Sequence, residues 1–195
     1  MNSRTILLVA LLVISALGIN WYQDSVVVHP EVIQTPKNEP DLYMINAKIT
    51  QFDNMGQGHH RIRAEKFTHF PLTDITILRM PNVILYSEGE SPWQIDSREG
   101  QILPGEAQGE DTVELWNEVF AKQTTPDGRF IHIRTDFLSI IPAEDYAETD
   151  RIVTIDDNNG TTTAAGMVAH FSPGRFRFFS GKNQRVNTVI QGKSE

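Results

Sequence analysis

The 195-residue chain has no cysteine. That removes disulfides, thiolate metal ligands and thiol nucleophiles from consideration, and leaves ordinary burial as the source of stability. The familiar catalytic signatures are missing too. There is no G-x-S-x-G elbow, no H-E-x-x-H, no P-loop and no G-x-G-x-x-G, so the chain gives no positive sign of an enzyme. Positive charge is in short supply, with 17 Lys and Arg against 25 Asp and Glu and a net charge of −8. An excess of that sign argues against nucleic acid, which needs clustered cations to neutralise phosphates, and against lying flat on anionic lipid. Beyond residue 22 no stretch carries a convincing 3.6-residue apolar stripe, which argues against amphipathic helices.

What is present begins at the N-terminus. From Ile6 to Ile19 only Ser15 and Gly18 interrupt an apolar run, with Arg4 before it and Trp21-Tyr22 after it. At about 1.5 Å per residue a helix over 6–22 reaches roughly 25 Å, near the short limit for a bilayer core. Positive charge before the run places its start in the cytoplasm, and the aromatic pair suits the outer interface. A cleavable signal peptide ending near Ala16-Leu17-Gly18 is the competing reading. Both export the chain. Residues 1–5 are then a cytoplasmic start, 6–22 the span and 23–40 a spacer carrying Pro30, Pro36 and Pro40, since proline favours extended chain. Residues 41–190 form one domain and 191–195 a tail.

Within that domain short alternating runs are separated by turn residues about every 8–14 positions. Leu42–Thr50, Arg61–Glu65, Thr73–Met80, Val83–Tyr86, Trp93–Asp96, Gln101–Leu103, Val113–Phe120, Phe130–Ile141, Arg151–Ile155, Thr161–Phe171, Arg175–Phe179 and Gln184–Ile190 read as strands. Asp127-Gly128 and Asn159-Gly160 read as type I′ hairpin turns, which need positive φ at both central residues. The pattern predicts an all-β sandwich, barrel or roll.

The faces of these strands offer few chemical sites. His59-His60 should point to opposite faces, a poor start for a metal site, so no metal and no cofactor is expected. Asp156–Gly160 resembles the opening of a calcium loop but lacks the closing Glu. Glu144-Asp145 and Glu148-Thr149-Asp150 read as a charged loop; a hydrolase built on them is a remote alternative. The aromatic alternation is more suggestive. Phe176 and Phe178 oppose Arg175 and Arg177, and Trp116, Glu118 and Phe120 share a face opposite Leu115, Asn117 and Val119. Such faces make either a sealed core or the lining of a greasy groove. Ile84, Phe120, Ile133, Phe137 and Phe178 are the interior candidates on periodicity.

Several runs together resemble a known family. They are Ile133–Leu138, Pro142, the segment 145–150 with Val153, Thr161–Met167 and Gly174–Phe176 through Phe179-Ser180. Pro81–Val83, Trp93 and Leu115–Val119 extend the likeness. Along nearly its whole length the chain is similar to the lipopolysaccharide export family LptC. The ending departs from it, with residues 181–186 where the family often has a V-R-G-x-Y-like strand. The resemblance implies a twisted antiparallel β-jellyroll, open along a V-shaped groove, behind one retained transmembrane helix in the inner membrane, with the domain in the periplasm. It also implies that lipopolysaccharide arrives from the inner-membrane ABC transporter (LptB, LptF and LptG) and passes to periplasmic LptA by edge-to-edge strand pairing. Leu78 and Trp116 match positions facing the family's lipid groove. Gly56 matches a turn glycine near the edge that meets the transporter. The C-terminal strand Arg175–Ile190, with Gly174, Arg175, Val186 and Val189, is the expected edge for LptA. A membrane-anchored docking module with a sealed core and no lipid conduit is the alternative.

Overall fold

The computed structural model describes residues 38–86, 91–105, 111–172, 174–182, 184–190 and 192. The apolar run at 6–22 and residues 23–37 of the expected spacer lie outside these. Among the described residues no helix is long and apolar enough to cross a membrane.

Every strand is antiparallel to its neighbours. In chain order they are β1 (Leu42–Phe52), β2 (Gly58–Phe70), β3 (Ile75–Arg79), β4 (Asn82–Leu85), β5 (Trp93–Asp96), β6 (Glu99–Leu103), β7 (Thr112–Thr124) and β8 (Phe130–Ile141). After a short 3₁₀ turn at Pro142–Glu144 come β9 (Tyr146–Thr149), β10 (Val153–Asp157), β11 (Gly160–Ala164), β12 (Gly166–His170), β13 (Arg175–Phe179) and β14 (Asn187–Ile190).

They build one sheet that forks twice. β1 runs along one side of β2. The other side of β2 is shared, its first half pairing with β4 and its second with β3. β4 continues to β5 and β3 to β6, and both branches rejoin on β7. β8 lies along β7 and forks again, into β10–β11–β14 from one half and β9–β12–β13 from the other. Among the described residues the network therefore ends at β1 on one side and at β13 and β14 on the other.

The first fork has a local cause. Pro81 has no N–H to continue a ladder, and Met80 beside it sits at φ 48°. On β7 the register shifts between Trp116 and Val119, where Asn117 and Glu118 lie at φ 63° and 62°, a bulge that bends the strand. Met80 N–H donates to Arg98 O (2.8 Å), Ser97 N–H to Pro81 O (3.2 Å) and Arg98 N–H to Asn117 O (3.0 Å). An Arg98–Glu118 ion pair at 2.8 Å lies over the same junction.

One apolar cluster fills the inside of the bend, from Ile62 and Phe67 on β2 to Met167 on β12 and Phe171 beyond it. Trp93 on β5 is fully buried and packs against Phe171 at 4.7 Å and Phe176 of β13 at 5.9 Å between ring centroids. That contact joins strands far apart along the sheet, so the sheet is rolled.

The strand pattern read from sequence needs four corrections. Thr161–Phe171 is two strands parted at Ala165, whose N–H donates to Phe179 O at 2.9 Å. The C-terminal edge expected over Arg175–Ile190 is divided between β13 and β14 on different branches of the fork, and the strand read at Gln184–Ile190 starts only at Asn187. The segment read as a charged loop contains β9, with Ala147 and Thr149 buried. Both hairpins exist, but neither turn is type I′. The first loops through 125–129 with positive φ at Gly128 and not at Asp127; the second turns at Asn158-Asn159, leaving Gly160 inside β11.

Candidate functional site

Adjacent strands share faces, so the pairing register sorts the side chains into inner and outer rows. One inner row runs Ile49, Ile62, Val83, Ile95, Ala121, Ile133 and Ile155. Leu78 and Ile133 are each 1 % exposed and lie within the filled core. Phe178 is half-buried on the inner face near one end of the sheet. Ile84, Trp116, Phe120 and Phe137 do not join them. They are half-buried on the outer face, so the seven candidates do not form one lining.

On β7 the inward positions Val113, Leu115, Val119 and Ala121 keep one alternation through the bulge, so Trp116 and Phe120 face out, as Ile84 does on β4; on β8 the inward positions step from Thr135 to Leu138 opposite that bulge, which puts Phe137 outside. Trp116 and Phe137 face each other across β7 and β8. The Trp116 Nε1–H donates to Glu99 Oε2 at 2.8 Å, an acceptor shared with Asn117 Nδ2 at 2.8 Å. A groove of about 620 Å³ passes Trp116 between Lys66, Arg79, Met80 and Arg98. Another of about 740 Å³ starts at Phe137 and ends at Phe179 and Gly181. Phe120 packs at a tilt against His132, 5.4 Å between ring centroids, with the Arg134 guanidinium 5.5 Å over its ring.

The inner residues that sequence reasoning passed over are Met44, Ala47, Ile102, Ile131 and Phe176, which with Phe178 ring the filled centre and are only partly buried. Met44 and Ala47 both face inward despite odd spacing, because Asn46 between them takes φ 50°. Nothing in the alternation announces that step.

The partner candidates fall at several places. Gly56 takes φ 78° in the β1–β2 turn, where Asp53 Oδ1 accepts the N–H groups of Met55 and Gln57, each at 2.8 Å. Gly174, at φ 71°, donates its N–H to Phe171 O at 2.9 Å, and Arg175 opens β13. Val186 is not in a strand; its N–H donates to Ser180 Oγ at 3.3 Å. Val189 is in β14 opposite Thr161 and is 60 % exposed. Among the described residues β14, β13 and β1 are the unpaired edges, with bare apolar side chains at Ile190 on β14 and at Leu42, Tyr43, Ile45 and Phe52 on β1.

The carboxylates weighed for hydrolysis do not converge. Glu148 accepts from the Tyr146 hydroxyl at 2.5 Å, Asp150 pairs with Arg151 at 3.4 Å, and both are exposed. Asp145 is held in a separate polar pocket near His59, Tyr86 and Ser172, and burial pushes its carboxyl above the usual range. Contrary to the alternation, the adjacent His59 and His60 bring their Nδ1 atoms to 3.5 Å. Burial, then His59, lowers the pKa of His60. Among the described residues no group of His, Asp and Glu is arranged to hold a metal ion.

What the arrangement offers is a rolled apolar interior between unpaired edges. The solved structure of LptH, the LptA-homologous periplasmic component of the conserved lipopolysaccharide transport device from Pseudomonas aeruginosa, shares this fold. It is 12 % identical with a TM-score of 0.54, over 68 % of this chain and 95 % of that one. The likeness supports the jellyroll-like class at the level of fold. Comparison with curated proteins gives no match. The family described as "Lipopolysaccharide-assembly, LptC-related" matches residues 7–185. The chain belongs to the LptC-related family of lipopolysaccharide-assembly proteins.

Proposed function

We propose that the chain is an inner-membrane-anchored carrier in lipopolysaccharide export. It takes the lipid from the transporter LptB–LptF–LptG and passes it to LptA. The single observation that carries this reading, beyond family membership, is the apolar interior reached between unpaired strand margins. Exposed hydrocarbon costs roughly 25 cal/mol per Å² in water, so acyl chains crossing the periplasm need continuous apolar cover. The centre of the roll is already filled by Trp93, Phe67 and Phe171. The partly buried ring that includes Met44, Ile131, Phe176 and Phe178 is then where acyl chains enter, by parting the margins. Residues 6–22 serve as the retained anchor and 23–40 as the spacer.

Edge strands are an aggregation hazard unless they have partners. In this reading β1, with the Gly56 turn at its end, meets the transporter. β13 and β14, with Gly174, Arg175, Val186 and Val189, meet LptA. Because Val186 lies outside β14, the informative proline is Val189→Pro. It should abolish LptA capture while leaving thermal unfolding of the domain nearly unchanged.

The lipid assignment is tested with a photo-crosslinking residue in full-length protein in cells. At Phe178 it should give a lipopolysaccharide adduct that depends on ATP-driven transport, and at Trp116 on the outer face it should give little. No adduct at Phe178 or at Met44 would favour the sealed docking module.

A further inference from the structure

Among the described residues two buried side-chain polar atoms lack a hydrogen-bond partner, Trp93 Nε1 and Asp145 Oδ1. They lie on opposite sides of one seam. Trp93, on β5, is fully buried with its ring 4.7 Å from that of Phe171. Asp145, at the corner between β8 and β9, accepts the Phe171 N–H on its backbone oxygen at 2.8 Å. Phe171 thus touches the bearers of both unpaired atoms. Along the sheet β5 reaches β12 only by way of β7, β8 and β9. The seam is therefore a contact across the roll, and among the described residues no strand ladder crosses it. A polar cleft of about 370 Å³ continues it, lined by Asp53, His59 and Tyr86 from one side and by Asp145 and Ser172 from the other. On the inner side Phe176 meets Trp93 at 5.9 Å, and its strand β13 is paired only to β12.

Nearly all buried polar groups in folded proteins are paired, and one left unpaired costs its full desolvation. Both exceptions fall on this seam. The closed seam therefore carries a penalty that opening removes, because water then reaches both atoms. Asp145 adds to it with a left-handed backbone at φ 50°, which is unfavourable for a residue with a side chain. The ring contacts of Trp93 with Phe171 and Phe176 pull the other way. A closure favoured by aromatic packing and opposed by unpaired groups opens at far lower free energy than the whole domain unfolds.

We propose that this seam is a gate: the β12–β13 hairpin lifts away from Trp93, and the roll opens there without unfolding. Such a gate deepens the carrier reading and rests on it, since it supplies the way into an interior whose centre is filled. Trp93 is its pin. The indole ring holds the hairpin down, and its unpaired N–H keeps the hold from becoming permanent.

The chain has no cysteine, so a single buried thiol reports opening by its rate of labelling. The test places one in the full-length chain in nanodiscs, either as Ala169→Cys or as Ala121→Cys. Both alanines are fully buried; Ala169 on β12 pairs with Phe176 of β13, whereas Ala121 lies in the middle of β7. The thiol at 169 should react at least about tenfold faster than that at 121, as a local opening does beside global unfolding. Trp93 is then replaced by benzothienylalanine, which keeps the fused rings and puts sulfur in place of the N–H. Labelling at 169 should slow by about tenfold, the scale of one unpaired buried group. Asp145→Asn, whose neutral amide is less costly to bury than a carboxylate, should slow it as well, and decides the matter should the sulfur variant not fold. Equal rates at 169 and 121 would mean that the roll opens only by unfolding, and would overturn the gate. Unchanged or faster labelling at 169 in the sulfur variant would overturn it too. The crosslink at Phe178 reads the carrier assignment separately: an adduct there beside equal thiol rates would remove the gate and leave the carrier standing.

Discussion

His69 holds both ring nitrogens against carboxylates, Nδ1 at 2.7 Å from Asp41 Oδ1 and Nε2 at 3.0 Å from Asp74 Oδ1. Only the protonated ring has two N–H donors to satisfy both. The hydrogen bond to Asp74, and then that to Asp41, raises the pKa above its ordinary 6.5. A raised histidine contributes stability that is fully present below the unfolded value and lost as pH rises through the folded one. The start of β1, paired here to the end of β2, should therefore loosen as pH climbs above about 6.5. Native-state amide exchange at Met44 and Ile45, corrected for intrinsic rate, should show that step, and His69→Gln should remove it. A step that persists in the variant would assign it elsewhere. Gly160 makes a different demand. At φ 153° it lies so close to β14 that a Cβ would sit 2.0 Å from Val189 O. Gly160→Ala should cost more than about 1 kcal/mol. The loss should concentrate in β14, seen as faster exchange at Thr188 and Val189 with the core amides still protected.

Strands were legible in the sequence wherever two-residue alternation ran unbroken. Trp93–Asp96, Phe130–Ile141 and Arg175–Phe179 match their strands residue for residue. The limits came at bulges. Asn46 and the step from Thr135 to Leu138 each reverse which side chains face inward, and a one-residue slip moves every later side chain to the other face. The step on β8 is why alternation alone puts Phe137 inside; Trp116 is expected inside only by its match to the family's groove position, and plain alternation with buried Leu115 and Val119 puts it out. β9 was hidden by its acidic residues, because Glu148 on its outer side made a half-buried strand look like a loop. Which strands pair was not legible at all, since long-range register leaves no local sign. The two faces separate by stability. Trp93→Ala should cost about 3–5 kcal/mol in urea unfolding, as expected for a large buried aromatic. Trp116→Ala should cost well under half of that, because its indole is half-exposed and bonded at its rim to Glu99. Equal losses would contradict the inner and outer rows.

The two ends of the whole sheet are unlike. One is a single strand, β1, with 11 residues along one line. The other is divided between β13 with 5 residues and β14 with 4, on separate branches of a fork. An incoming strand from another protein can add along the full length of β1, but it can extend only one prong of the far end at a time. Plug and socket therefore differ, and a row of such domains has a head and a tail. On the proposed reading, the division of β8 between two branches gives such a row polarity, because neighbours on the two sides cannot exchange places.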